Sequence, residues 1–157
     1  MPLDAVCLQA VLEELRPQLI GLRIDKVQQP ARDQVILLLR GNKRLLLNAG
    51  ANAPRIQLTE LARENPAEPP MFCMLLRKHL VGARIANMVQ PPLERQVNIE
   101  LDITDDFGQP GKRTLVLETM GRRSNLILLD GEGRIVDCMR RVDTDMSATR
   151  QVLPGLY

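Results

Sequence analysis

Two stretches of the chain repeat each other in register, and that repeat limits the fold more than any other feature. Residues 19–39 read LIGLRIDKVQQPARDQVILLL, and residues 80–101 read LVGARIANMVQPPLERQVNIEL. At an offset of 61 positions, Gly21, Arg23, Ile24, Gln29 and Pro30 fall on Gly82, Arg84, Ile85, Gln90 and Pro91. One inserted residue raises the offset to 62 and sets Gln34–Val35 on Gln96–Val97. An offset of 70 then sets Leu45–Leu47 on Leu115–Leu117, and Arg55–Ile56 on Asn125–Leu126. Identities that keep register across gaps point to a duplicated helix-plus-strands unit.

A chain of 157 residues with 45% hydrophobic content is long enough for one domain with its own core. No run of about 18 apolar residues is present to cross a membrane. The start, MPLDAVCLQAVLEEL, has no basic segment before its apolar residues and does not read as a signal peptide. Cys7, Cys73 and Cys138 are odd in number and widely spaced. They read as free thiols in a reducing cytoplasm, not as a disulfide frame or a zinc site. The net charge of +2 excludes a polycationic coat for nucleic acid. Arginine nevertheless supplies 17 of the 21 basic residues. Guanidinium suits forked contacts to phosphate and base edges better than ammonium does, although a GC-rich genome also favours arginine codons. Aromatics are 2% of residues, so a base-stacking aromatic face is not available.

Taken in order, Asp4 precedes apolar residues at helical spacing, Leu8, Val11, Leu12 and Leu15, and reads as an N-cap. Pro17 is expected to end or kink that helix. Strands are expected at Arg23–Gln28 (stopped at Pro30), Val35–Arg40, Lys43–Ala49 and Arg55–Leu58, with Gly41-Asn42 as a hairpin turn. The proline-rich run from Asn65 to Pro70 reads as a rigid connector into a second helix, from about Pro70 to Val81. Met71, Met74, Leu75 and Leu80 are expected on its buried face, with Arg77 and Lys78 off it. The second copy supplies Arg84–Val89, Gln96–Ile103, Lys112–Thr119 and Asn125–Asp130, followed by Arg134–Met139. The expected fold is α+β: a duplicated unit forming a β-sandwich or pseudobarrel, its halves related by a rough two-fold, with a helix from each half covering an end. The end at residues 153–157 has no stopping logic, so 1–157 reads as one domain of a longer protein.

Glu94–Arg95 follows Pro91-Pro92, where a stiff loop enters a strand. Arg95 can grip a phosphate or a guanine edge, and Glu94 can accept from base amino groups. The plain alternative is a solvated loop ion pair. Neighbours on a strand point to opposite faces, so the two act together only from a loop. Arg122 and Arg123 sit at a turn after Gly121, suited to phosphate contact or to pairing with Glu118. His79 reads as a satisfied, partly buried imidazole. It is the one histidine, which leaves no partner for a catalytic triad or a histidine-rich metal site.

The motifs EPPMFCMLLRKHL (68–80) and MGRRSN (120–125), with Asn48-Ala49 and Val152-Leu153-Pro154-Gly155, make the chain resemble the N-terminal NFACT domain over essentially its whole length. That family includes the bacterial RqcH proteins, often labelled fibronectin-binding protein A, and eukaryotic NEMF. The resemblance implies a fold like the N-terminal domain of formamidopyrimidine-DNA glycosylases. It also implies a cytoplasmic role in ribosome-associated quality control. Family members bind the large ribosomal subunit carrying peptidyl-tRNA, and in bacteria recruit alanyl-tRNA for template-free tailing of the stalled chain. The residues matching the family's tRNA contacts are Glu94, Arg95 and Asp4. Glu94 replaces the family's aspartate, and its side chain is longer by one methylene, about 1.5 Å. No cofactor, metal, membrane or small-molecule substrate is implied, and no chemistry of the domain's own.

Two other functions fit parts of the chain. Removal of Met1 would expose Pro2, a secondary amine able to form a Schiff base with an abasic sugar, as in a DNA glycosylase/lyase. The glycosylases follow that proline with glutamate, whereas here Leu3 follows and Asp4 comes one place late. A fibronectin-binding adhesin is the other alternative, and the lack of a signal-like start speaks against it.

Overall fold

The structure, a computed structural model, describes residues 5–31, 33–41, 43–49, 55–59, 71–91, 96–104, 107–119 and 124–139. Helix α1 (Ala5–Leu19) leads into β1 (Ile24–Ala31), β2 (Gln34–Leu39), β3 (Lys43–Asn48) and β4 (Arg55–Leu58). Helix α2 (Met71–Leu80) leads into β5 (Arg84–Val89), β6 (Gln96–Thr104), β7 (Pro110–Glu118), β8 (Asn125–Leu129) and β9 (Ile135–Cys138). Each helix is thus followed by an antiparallel meander, in sheet order β1-β2-β3-β4 and β5-β6-β7-β8-β9. The class is α+β, as expected. The described strands form two open sheets and not a closed barrel. Each sheet keeps two edges, and among the described residues their backbones meet around an isolated bridge between Arg23 and Arg84.

The duplication is visible bond by bond. Gly21 and Gly82 occupy equivalent positions with φ of 93° and 89°, which a residue with a Cβ reaches only at a cost. Gly21 N–H donates to the Ile85 carbonyl at 2.7 Å, and Gly82 N–H to the Ile24 carbonyl at 2.8 Å. Ile24 N–H bonds Ala83 at 2.8 Å, and Ile85 N–H bonds Leu22 at 2.9 Å. Exchange of equivalent bonds places a pseudo-dyad between Arg23 and Arg84. Even the irregularities match: register slips between Ile24 and Lys26 in β1, and between Ile85 and Asn87 in β5. These bulges bend the first strand of each sheet at the same place.

Both sheets and both helices share one apolar core. Leu8, Leu12, Leu15 and Leu19 of α1 are buried with Ile24, Leu37, Leu47, Ile85, Ile99, Leu117 and Leu128. Burying each such side chain contributes about 1.5–3 kcal/mol, which makes the α1 stripe a major anchor. The helices cross over: α1 packs on β5 and α2 on β1, so each half seals the other. Among the described residues, no helix is long and apolar enough to cross a membrane.

Three local expectations are corrected. Pro17 lies inside α1 and does not end it. Burial of Leu15 and Leu19 on either side holds the last turn in place despite the missing N–H. Strand β1 runs through Pro30, which an edge strand tolerates, and the pairing slips between Gln28 and Ala31 to accommodate it. Helix α2 is rotated from its expected phase. Phe72, Cys73, Leu76 and Leu80 are buried, whereas Met71 and Met74 are 77% and 59% exposed. The first six residues of α2 are all apolar, so their pattern does not fix a face. The Arg77 side chain does: its Nε–H donates to the Val27 carbonyl at 3.0 Å and turns the helix toward β1. The expected N-cap at Asp4, the turn residue Asn42 and the connector 65–70 lie outside the described residues.

Candidate nucleic-acid interface

The five residues singled out for RNA contact, Asp4, Glu94, Arg95, Arg122 and Arg123, lie outside the described residues. The described residues that follow Arg95 and flank 120–123 belong to one end of the larger sheet. Gln96, which opens β6, pairs with Glu118 at the end of β7, and Glu118 pairs with Asn125 at the start of β8. These three residues form one row across three strands. The segment 92–95 enters the row at Gln96, and the segment 120–123 leaves from Thr119 and returns through Ser124.

The same end receives α1. Gly21, beyond the C-terminus of α1, bonds to Ile85 near the start of β5, and Arg16 Nε–H bonds to the Met88 carbonyl further along β5 at 2.7 Å. The helix therefore runs antiparallel to β5. Its N-terminus at Ala5 projects roughly 16 Å beyond Arg16, toward the end where β5 leaves Val89 for Pro91.

The row is polar, Gln96 is half-buried, and the other two members and their neighbours are buried. Glu118, Thr119, Ser124 and Asn125 are all less than 5% exposed. Asn125 Oδ1 accepts from Leu126 N–H at 2.9 Å, and Gln96 Nε2 donates to Asn98 Oδ1 at 2.8 Å. Buried polar groups must be hydrogen-bonded to persist, and such bonds fix the roots of the adjoining segments. The first repeat has a matching row, Gln34, Asn48 and Arg55, with Asn48 also buried. The repeats leave the pseudo-dyad in opposite directions, so the two rows mark opposite ends of the molecule. The sequence hinted at these rows only through Gln34/Gln96 and Arg55/Asn125. Equivalence of Asn48 with Glu118 shares no residue type and emerges from register alone.

His79 lies on the other side of the molecule, near the pseudo-dyad. It is partly buried, as expected, but no described residue hydrogen-bonds its ring. Burial first, then the charges of Arg113 and Lys78, push its pKa below the ordinary 6.5. Among the described residues, no three His, Cys, Asp or Glu side chains are grouped to hold a metal ion.

Comparison with known proteins agrees with the resemblance. The family model for NFACT N-terminal and middle domains matches residues 4–157. The chain is 39% identical over 159 residues to the Rqc2 homolog RqcH of Bacillus subtilis, covering 99% of this chain and 28% of that protein. It is 31% identical over 142 residues to ribosome quality control complex subunit NEMF of Mus musculus, covering 87% of this chain and 12% of that one. The solved N-terminal domain of fibronectin-binding protein PavA from Streptococcus pneumoniae superposes with a TM-score of 0.93 at 38% identity, covering 98% of this chain and 60% of that one. The chain thus spans under a third of the length of these curated relatives.

Proposed function

The chain belongs to the NFACT family, and from that membership we propose that it is the tRNA- and large-ribosomal-subunit-binding domain of a cytoplasmic ribosome-associated quality control factor. The full protein would recruit alanyl-tRNA to a subunit holding peptidyl-tRNA and support template-free tailing of the stalled chain. In this reading the domain has no chemistry of its own, and peptide transfer belongs to the ribosome.

What carries the reading is the row Gln96–Glu118–Asn125. Arg95 is joined to Gln96 by one peptide bond, which limits their Cα atoms to about 3.8 Å apart. Arg122 and Arg123 are one or two residues from Ser124. Asp4 directly precedes α1, whose N-terminus points the same way. In this reading RNA contact falls to the arginine pair Arg122–Arg123, the pair Glu94–Arg95 and the further acid Asp4, from three separate segments. Forked cations hold phosphates, and acids discriminate base amino groups.

The test is to recover RNA from the purified full-length protein and sequence it. Enrichment of tRNA together with large-subunit rRNA is expected. An RNA profile equal to that of the lysate overturns the proposal.

A second reading follows from the relatives. PavA is named as a fibronectin-binding protein, and a Staphylococcus aureus neighbour at TM-score 0.85 and 32% identity is named as fibrinogen binding. Fractionation of cells carrying the full-length protein separates this reading from the first. The glycosylase-like alternative rests on Pro2, and borohydride trapping on abasic DNA would reveal its covalent adduct.

A further inference from the structure

Arg23 and Arg84 meet across the pseudo-dyad as antiparallel bridge partners. The flanking bonds, Ile24 N–H to Ala83 and Ile85 N–H to Leu22, make them a non-hydrogen-bonded pair. In such a pair the Cα atoms lie about 4.5 Å apart and the side chains leave from the same face. Like charges directly opposite one another repel. Both arginines are exposed, and neither has an ion-pair partner among the described residues. Duplication explains how an arginine comes to face its own copy. It does not explain why the surroundings add more positive charge.

They do add it. Two adjoining hollows of about 630 and 540 Å³ open beside the pair. Lys112 lines the first, Lys78 and Arg113 line the second, and Arg23 lines both. Asp102 is the one acid among the described lining residues, against five cations. That concentration stands out in a chain whose net charge is only +2. The Nε of Arg113 is buried without an acceptor among the described residues, although its Nη1 donates to the Lys112 carbonyl at 2.8 Å. A buried donor of this kind ordinarily finds a partner. The His79 pKa is lowered by burial first, and then by the charges of Arg113 and Lys78.

We propose that this pseudo-dyad groove is a second RNA-binding surface, one that holds two or more phosphates of an RNA backbone through Arg23, Arg84, Lys78, Lys112 and Arg113. It rests on the reading of the domain as an RNA-binding module. It is separate from the end where β6 begins: β6 runs from Gln96 at that end to Thr104 at the groove, about 27 Å at the antiparallel rise. A phosphate-binding groove reads no sequence. Its role is to fix the orientation of an RNA whose identity is read elsewhere.

The experiment uses the full-length protein with two probes, bulk tRNA and purified large ribosomal subunits, each titrated over a salt series. Arg23→Ala/Arg84→Ala should weaken binding of at least one probe about tenfold at moderate salt. It should also lower the slope of log affinity against log salt by about 1.5, as expected for two lost phosphates. Arg23→Lys/Arg84→Lys should keep most of that slope. The probe that responds identifies the RNA. The melting temperature of the alanine variant should not fall, because repulsion has been relieved. Lys26→Ala/Lys43→Ala removes the same charge from residues that line neither hollow, and an equal loss with that variant overturns the proposal. So does an unchanged slope for both probes. If Arg95→Ala weakens tRNA binding in that last case, the RNA-binding reading survives without the groove. If neither Arg23→Ala/Arg84→Ala nor Arg95→Ala alters either probe, the RNA-binding reading falls as well.

Discussion

Arg16 and Arg77 stand 61 residues apart and make the same bond into opposite repeats. Arg16 Nε–H donates to the Met88 carbonyl at 2.7 Å, and Arg77 Nε–H donates to the Val27 carbonyl at 3.0 Å. Met88 and Val27 are themselves separated by 61 positions. Each helix therefore ties its guanidinium to the first strand of the other half, on an edge of that sheet. These ties set the direction of α1 along β5 and the phase of α2 on β1.

Breaking either tie should destabilise the domain. Arg16→Met and Arg77→Met keep the aliphatic stem but remove the N–H. Each should cost about 1–3 kcal/mol, the range for losing a charged donor to a carbonyl. The costs differ for a reason. The Val27 carbonyl also receives the Cys73 thiol at 3.9 Å, so Arg77→Met leaves it partly served. Arg16→Met is therefore expected to lower the urea midpoint by at least as much as Arg77→Met. Equal stability of both variants and wild type would show that the ties carry no energy.

The paired glycines give a cleaner comparison. A Cβ at Gly21 or Gly82 would meet nothing within 4 Å, so no clash opposes alanine. Only the positive φ does, at roughly 1–2 kcal/mol. Gly21→Ala and Gly82→Ala should each lose that amount in denaturant unfolding, and by nearly equal measure. A large difference between them would mean that the halves do not share the strain as the geometry implies.

Much of this architecture was legible in the sequence, and the failures have physical causes. Alternation in β6, with Val97, Ile99 and Leu101 inward, is a local pattern, and so the strand was found. Arg55–Leu58 and Arg84–Val89 appear with their expected bounds. Pro17 and Pro30 misled because local rules do not see the packing of Leu15 and Leu19 or the edge position of β1. The phase of α2 was hidden by its continuous apolar start. Register is non-local, so the row Gln96–Glu118–Asn125 could not be read from spacing, nor could the meeting of Arg23 with Arg84. The repeat offered one usable signal for that meeting: equivalent residues can touch only on the axis that relates the halves. The candidate contacts themselves came from family motifs, since Glu94 and Arg95 alone look like any solvated pair.

His79 offers a pH test, because it is the one histidine in the chain. Its folded pKa lies below the unfolded 6.5, through burial and then the charges of Arg113 and Lys78. The folded state thus binds fewer protons than the unfolded state as pH falls below 6.5. Its contribution to stability is complete above 6.5 and is lost as pH falls from there to the folded value. An NMR titration of the isolated ring resonance should show a midpoint below 6.5. A phosphate bound near Lys78 and Arg113 would offset their charge and move that midpoint up. A midpoint at or above 6.5 without RNA would contradict the positive field described for the groove.

The thiols test the reading of the cysteines. Cys73 and Cys138 are buried and in no disulfide among the described residues, and burial raises the Cys73 pKa against the lowering effects of Arg77 and of a backbone hydrogen bond from Gln29. Both should react slowly with an aromatic disulfide reagent in the native protein. After denaturation without reductant, the 157-residue chain should yield three thiols. A count of one would reveal a disulfide and remove the argument for a reducing compartment.

The sharpest test falls on Arg95. It directly precedes Gln96, the first residue of β6, and is the side chain to which the proposed function assigns most of the tRNA contact. Loss of a forked contact to base or phosphate costs about 1–3 kcal/mol, so Arg95→Ala should weaken tRNA binding roughly ten- to a hundredfold. Arg95→Lys should recover little, since one ammonium does not replace two parallel N–H donors. Glu94→Asp keeps the acid, one methylene shorter, and should bind as well as wild type or better. None of the three should shift the melting temperature appreciably, because a loop ion pair of the kind the sequence suggests contributes little to stability. The measurement is tRNA affinity of the full-length protein at one fixed salt concentration, with thermal unfolding alongside. Wild-type affinity in Arg95→Ala, or a loss that tracks unfolding, would return Glu94–Arg95 to the status of a surface ion pair and leave the groove at Arg23 and Arg84 as the surviving RNA candidate.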